Sequence, residues 1–381
     1  MNSHVAIVGV GLTPLRPVSP DLSYREMIFE AATKAYADAG IGPPEVDVFV
    51  TVAEDLHEGT SIADEYTPDQ LGAVRRPVHT VAGDGLQGLA AAVMLVRAGA
   101  AELAVVEAHS KASNITTHEQ VLALALDPAY ERPRRINPHA IAALEMRRYL
   151  YDAGASPEVT AAVVVKNRRR ALDNPYAAYG AALRTEEVLA DAYLADPLRT
   201  LEVSPYADGA VVLVLAATDG ARRPRAVGIR GIGWATDEPA LSGRSWAQAT
   251  YARLACDMAY AQAGVLAPAD EIDLFELDDT YAYKELQHLE AALHLEIGEG
   301  ARLAAAGRTG RSGRYPVNPS GGSLGMGYGY DASALVRTAM AVQQLRGEAG
   351  ALQVSRARTA LVVSWRGVPT TSGGAVVLGA A

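Results

Sequence analysis

The chain has 381 residues and a formal net charge of −10, from 34 Lys and Arg against 44 Asp and Glu, which argues against nucleic acid as its main partner. With 49% hydrophobic residues, 20% charged ones and a mean hydropathy of +0.05, it can bury one large core or two ordinary ones, and disorder is excluded. The single cysteine, Cys256, excludes an intramolecular disulfide, no apolar run nears the roughly 18 residues of a membrane span, and the opening residues lack a secretory leader's pattern, so the expected compartment is the cytoplasm.

Short Val/Ile-rich runs alternate with Ala-rich stretches, the pattern of a parallel or mixed sheet covered by helices, so the fold class is α/β. In chain order, strands are predicted at Val5–Val8, Val46–Val52, Val78–Val81, Leu103–Glu107, Val211–Leu215, Ala226–Ile232, Ile272–Leu277, Ala360–Ser364 and Gly374–Leu378. Helices, each with apolar residues three and four apart, are predicted at Tyr24–Ala39, Gly85–Ala98, His139–Ala153, Pro157–Ala171, Trp246–Ala263, Thr280–Leu293 and Asp331–Leu345. Ser110–Asp208 is too long for a simple connection and reads as an inserted lid or loop region with some helix of its own.

Two segments repeat. Tyr36-Ala-Asp-Ala-Gly40 leads to Val46-Asp-Val-Phe-Val50, and Tyr260-Ala-Gln-Ala-Gly264 leads to Ile272-Asp-Leu-Phe-Glu276. Each copy ends an Ala-rich helix in Gly, crosses a Pro-containing loop and enters an apolar strand, as a Gly C-cap and a short helix-to-strand connection require. The repeat implies two homologous halves, roughly 1–220 and 221–381, with the loop region at about 110–208 inside the first.

Lys166-Asn-Arg-Arg-Arg-Ala-Leu-Asp-Asn-Pro-Tyr-Ala177, Asp196-Pro-Leu-Arg199, Ser204-Pro-Tyr-Ala-Asp-Gly-Ala210 and Asn318-Pro-Ser-Gly-Gly322 resemble, in that order, motifs of the thiolase superfamily in its sterol-carrier-protein-X and archaeal branch. The resemblance implies a thiolase fold, two similar halves in a five-layered α/β/α/β/α arrangement. It also implies a coenzyme A thioester as substrate, a homodimer, and a small zinc-ribbon and OB-fold partner protein that helps hold the CoA tail.

The chemistry departs from that pattern. Thiolases carry a nucleophilic Cys at the start of a buried helix, where the helix N-terminus lowers a thiol pKa. The matching stretch here is Val81-Ala-Gly-Asp-Gly-Leu-Gln-Gly88, with Asp84, or else Gly83, in the nucleophile's place, while Cys256 lies on a helix as core filler. The branch's His-Asp-x-Phe motif is replaced by Asp278-Asp279-Thr280-Tyr281, its Gly-His-Pro by Gly327-Tyr328-Gly329, and the loop Val368-Pro-Thr-Thr-Ser-Gly-Gly374 has no second cysteine. Condensation through an acyl-cysteine is therefore excluded.

The groups left suit acid/base work on a hydroxyl or an enolate. Tyr328, flanked by glycines, is read as the principal acid/base, with Asp84 and Asp278 assisting, Tyr281 a further candidate and Tyr330 the less favoured neighbour. Asp84 can also cap the helix that follows Gly85, and one of Asp278 and Asp279 can cap the helix after them. Asn318, Gly321, Gly322, Gly373 and Gly374 would shape the oxyanion region, and Arg168, Arg169 and Arg170, or Arg132, Arg134 and Arg135, could meet CoA phosphates. His79, His109 and His139 are isolated, so no metal is proposed. Gly9-Val-Gly11 is followed by Leu-Thr-Pro, which rejects a dinucleotide site.

This set resembles thiolase-like acyl-CoA aldolases, which lack the cysteine and cleave a β-hydroxyacyl-CoA to a ketone or aldehyde plus a shorter acyl-CoA. The expected function is therefore non-covalent (retro-)aldol making or breaking of a C–C bond β to a thioester, with no tightly bound cofactor. Two other readings stay open: a non-catalytic thiolase-like subunit that binds acyl-CoA or scaffolds a partner, and an acyltransferase without a cysteine nucleophile. A steroid or aromatic acyl group is implied only by analogy, since pocket shape depends on loops such as Glu54–Asp69.

Overall fold

The computed structural model describes residues 4–54, 63–124, 126–134, 136–218, 225–238, 240–367 and 371–380. The first part of the chain runs β1 (Val5–Leu12), α1 (Tyr24–Ala39), β2 (Val48–Val52), α2 (Ala63–Leu71), β3 (Val78–Val81), α3 (Gly85–Arg97) and β4 (Leu103–Ser110). An excursion follows through α4 (His118–Ala123), α5 (Pro138–Ala153), α6 (Glu158–Ala171), α7 (Thr185–Leu189) and the hairpin β5 (Tyr193–Ala195) to β6 (Leu198–Arg199), before β7 (Gly209–Ala217) returns to the sheet. The remainder runs β8 (Val227–Thr236), α8 (Thr250–Ala263), α9 (Pro268–Glu271), β9 (Leu274–Leu277), α10 (Ala282–Leu293), α11 (Glu299–Ala305), α12 (Gly322–Met326), α13 (Ser333–Arg346), β10 (Thr359–Val363) and β11 (Ser372–Ala380).

The nine predicted strands form one sheet in the order β3-β2-β4-β7-β1-β8-β11-β10-β9. β1 meets β8 over only Ala6↔Gly228 and Ile7↔Val227, so the sheet is two strongly paired sections joined by a short seam. Alternate residues on each strand serve different layers, as the two-residue period requires. On β7, Ala210, Val212 and Val214 pack with α1, while Val211, Leu213 and Leu215 join α3 and α13. On β10 and β11, Val362, Val376 and Leu378 face that same central pair, and Leu361, Val363, Ala375 and Val377 face α8 and α10. The layers are thus α1, sheet, α3 with α13, sheet, and α8 with α10, the five-layered arrangement expected. Burial on both faces explains why these strands read as unbroken apolar runs.

The repeated segments make the same bonds. Asp47 Oδ2 accepts the backbone N–H of Glu102 and of Leu103, each at 2.9 Å, and Asp273 Oδ2 accepts those of Arg358 and Thr359 at 2.8 and 2.9 Å. Phe49 donates its N–H to Pro77 O at 3.0 Å, and Phe275 donates to Pro316 O at 2.9 Å. Gly9 and Gly11 lie where α1 crosses β1: a Cβ on them would fall 2.4 Å from Ala35 O and 1.8 Å from Ala31 O. Gly231 and Gly233 do the same on β8 against Ala259 and Ala255. The glycines of the first strand are helix-packing residues.

Sequence reading missed the short elements, namely α2, α4, α7, α9, α11, α12 and the hairpin, each too brief to show a period. No helix among the described residues is long and apolar enough to cross a membrane.

Candidate active site

The start of α3 lies at the centre of the molecule. Asp84 is its N-cap: Oδ1 accepts Leu86 N at 2.7 Å and Gln87 N at 3.3 Å, while Gln87 Oε1 accepts Asp84 N at 3.1 Å. The other oxygen, Oδ2, accepts from Ser364 Oγ at 2.9 Å, and Gly374 N donates to the same hydroxyl at 2.8 Å. Burial pushes the Asp84 carboxyl up to about 6, against the lowering effect of these donors. Gly373 and Gly374 are strand residues of β11 at this spot. A Cβ on them would collide with Ser364 O at 2.1 Å and with Leu86 Cβ at 2.8 Å. Val368, Pro369 and Thr370 of the same loop, Arg135, and residues 55–62 of the Glu54–Asp69 loop lie outside the described residues.

Beyond β9 the chain carries its acidic pair. Asp278 is fully buried and forms an ion pair with Arg337 of α13, whose Nη1 also donates to Ser323 Oγ at 2.7 Å. Its Oδ1 accepts Thr280 N at 2.9 Å. Asp279 faces the other way, accepting from Ser323 N at 2.6 Å, Leu324 N at 3.2 Å and Asn167 Nδ2 at 2.8 Å. Burial, then the charge of Glu285, raises it to about 7. The sequence leads us to expect one of these carboxylates to cap the helix that follows, and neither does: Tyr281 occupies that N-cap, and Asp279 instead binds the N–H groups of α12. Arg337 was not anticipated. It lies at the helix face opposite the chain's acidic pair, 59 residues from Asp278 in sequence, so only tertiary structure reveals it.

The segment after Asn318 is held tightly. Asn318 Oδ1 accepts Leu277 N at 2.7 Å and its Nδ2 donates to Glu285 Oε2 at 2.8 Å, so its side chain is engaged with the scaffold. Gly321 and Gly322 have φ of +104° and +60°, and a Cβ on Gly322 would fall 2.1 Å from Asp279 Oδ2. The three arginines of α6 do not share a face. Arg168 is buried and donates to Tyr179 O at 3.1 Å, Arg170 donates to Val317 O at 2.7 Å, and Arg169 is exposed.

Tyr328 ends this segment. Its backbone N–H donates to Pro205 O at 2.7 Å and its carbonyl accepts Ala207 N at 2.9 Å, which fixes it beside Tyr206. The half-buried ring lines a narrow cleft together with Leu122, His139, Tyr206, Tyr281 and Trp365. Tyr206 stacks between His118 and Tyr330, with ring centroids 3.7 and 5.1 Å away. Tyr281 meets Trp365 edge-on at 5.8 Å, and its hydroxyl lies 3.0 Å from His139 Nδ1. Burial, and then the charge of Asp278, pushes the Tyr328 phenol well up, and burial does the same for Tyr281. Both therefore stay protonated at neutral pH and act as hydrogen-bond donors.

The structure thus brings Tyr328 and Tyr281 to one cleft, while Asp84 and Asp278 do not line it. His139, set aside in the sequence as isolated, does. Asn137-Pro138 gave a signal, an N-cap followed by proline at the first helical position, but not that this helix start lies against Tyr281, 142 residues away. Cys256 is fully buried on α8. No group of three or more His, Cys, Asp or Glu side chains among the described residues could hold a metal ion.

The thiolase C-terminal domain-like family model matches residues 233–380. Over 367 residues, 93% of this chain and 94% of the relative, the protein is 31% identical to the acetyl-CoA acetyltransferase of Methanothermobacter thermautotrophicus. The chain belongs to the thiolase superfamily. Among its thiolase-like relatives is the 17-hydroxy-3-oxo-4-pregnene-20-carboxyl-CoA lyase of Mycobacterium tuberculosis, 28% identical over 97% of this chain and 98% of that one. The solved Ltp2-ChsH2(DUF35) aldolase superposes with a TM-score of 0.85 at 25% identity, covering 99% of this chain and 98% of that chain. This thiolase-like protein is therefore similar both to an acetyltransferase and to a lyase and an aldolase.

Proposed function

We propose that this thiolase-like protein is an acyl-CoA lyase of the retro-aldol type, breaking or, in reverse, making the C–C bond β to a thioester without an acyl-enzyme. The observation that carries the reading is the make-up of the cleft: phenols, an imidazole and an indole line it, and the one thiol of the chain is buried on α8. Cleavage needs a base for the β-hydroxyl, a donor to the thioester enolate, and no nucleophile. Tyr328, held as a protonated phenol, supplies the donor. Asp84 and Asp278 act from behind the cleft: one fixes the start of α3, the other neutralises Arg337 and keeps the Tyr328 proton in place. Arg169 is the member of the arginine run still open to a CoA phosphate. The lyase and aldolase relatives support this reading, and the DUF35 chain named with the aldolase supports a small partner protein.

A second reading is favoured by one observation: Asp84, Asp278 and Asn318 are each fully engaged in structural bonds, as in a subunit that binds acyl-CoA without turning it over. A direct test offers β-hydroxyacyl-CoA thioesters to the purified protein, with and without a DUF35-type partner, and looks by mass spectrometry for a carbonyl fragment and a shortened acyl-CoA in equal amounts. Binding without cleavage in both mixtures rejects the lyase in favour of the subunit.

A further inference from the structure

Retro-aldol cleavage moves two protons, one off the β-hydroxyl and one onto the α-carbon, and a phenol held protonated can supply only the second. Among the described lining of the cleft, one titratable group is not a phenol. His139 sits in the first turn of α5, where Asn137 Oδ1 accepts its backbone N–H at 2.8 Å. Its Nδ1 lies 3.0 Å from the Tyr281 hydroxyl, and both side chains line the cleft with Tyr328.

We infer that Tyr281 and His139 form the proton-accepting pair of this cleft, with His139 a positioning residue that works through the Tyr281 oxygen. The inference rests on the lyase reading above. With Tyr281 a neutral phenol, its O–H donates to Nδ1, which places the ring proton on Nε2. As the β-hydroxyl gives its proton to the Tyr281 oxygen, the phenolic proton passes to Nδ1. The Cα–Cβ bond breaks, its electron pair becoming the thioester enolate while the C–O bond at Cβ becomes a carbonyl. Tyr328 then protonates Cα, and the imidazolium returns its proton through solvent to the Tyr328 phenolate, so the net change is one proton moved from oxygen to carbon.

Two features keep the imidazole neutral and ready. Burial lowers its pKa, with only the charge of Glu119 opposing, and a helix N-terminus disfavours added positive charge. The fully buried Lys284 behind the cleft is bonded to Glu145 and does not compete for this role.

The test uses the full chain with a β-hydroxyacyl-CoA substrate. His139→Asn retains an acceptor but cannot carry a proton, and should lower kcat by about 100-fold or more while leaving KM within about threefold. Tyr281→Phe should do the same, and the double variant should lose no more than either single one, since the two act as a unit. If His139→Asn does not fold, His139→Gln takes its place, because it too offers an amide acceptor and cannot carry a proton. Cleavage by wild type with kcat unchanged in these variants overturns the pair and leaves the lyase reading intact. No cleavage by wild type, with or without a DUF35-type partner, overturns both.

Discussion

Ser364 donates its hydroxyl to Asp84 Oδ2 across 2.9 Å, tying the residue that follows β10 to the cap of α3, so the two sections of the sheet are joined at the start of a central helix. The carboxyl titrates near 6 here against 3.8 for an unperturbed group, so the native state binds this proton more tightly than the unfolded chain does. Its contribution is therefore full below about pH 4 and is lost as pH rises through about 6. Asp84→Asn keeps the cap acceptor and removes the titration. Between pH 4 and 6.5, wild type should lose on the order of 3 kcal/mol relative to that variant, read from urea unfolding at each pH. A difference that is flat or rises over this range contradicts the assignment.

Asp278 and Arg337 are both withdrawn from solvent, so removing one partner strands the other. Asp278→Asn should cost about 3–5 kcal/mol in chemical denaturation, and Asp278→Leu combined with Arg337→Met should cost less than Asp278→Asn alone. Additive losses in the double variant would show that the pair does not act as a unit.

Tyr328→Phe removes a hydroxyl that makes no side-chain hydrogen bond among the described residues. Its unfolding midpoint should match that of wild type, while kcat for β-hydroxyacyl-CoA cleavage falls by about 10²–10⁴-fold. Undiminished turnover would remove Tyr328 from the mechanism.

Gly322→Ala sets a methyl group at φ +60° against the Asp279 carboxylate and should cost about 2–4 kcal/mol. Gly347→Ala is the control, because at φ +74° it meets nothing within 4 Å and should cost only about 1 kcal/mol. Equal losses in the two unfolding curves would mean that the close approach to Asp279 carries no energy.

Much of the fold was legible because strands buried on both faces, such as Val211–Leu215, leave unbroken apolar runs, and helices such as Tyr24–Ala39 leave a clean three-to-four period. The repeated Asp47 and Asp273 were visible too, since a carboxylate that holds two strand N–H groups must recur wherever the connection does. The site was only partly legible. Tyr328 and Tyr281 stood out against motif positions, and both line the cleft. Arg337 gave no local sign and His139 only that of a helix start, because each acquires its meaning from a partner 59 or 142 residues distant in sequence. The arginine run misled in the opposite way: successive helical residues turn by about 100°, so Arg168, Arg169 and Arg170 meet three different environments.

The central claim is that Tyr328 and Tyr281 bracket a thioester and its β-oxygen with no covalent bond to the protein. A crystal structure with a slowly cleaved β-hydroxyacyl-CoA tests it most directly. The account predicts both phenolic oxygens within about 2.6–3.2 Å of the thioester or the β-oxygen. A thioester bound outside this cleft, or an acyl group joined to a side chain, would contradict it.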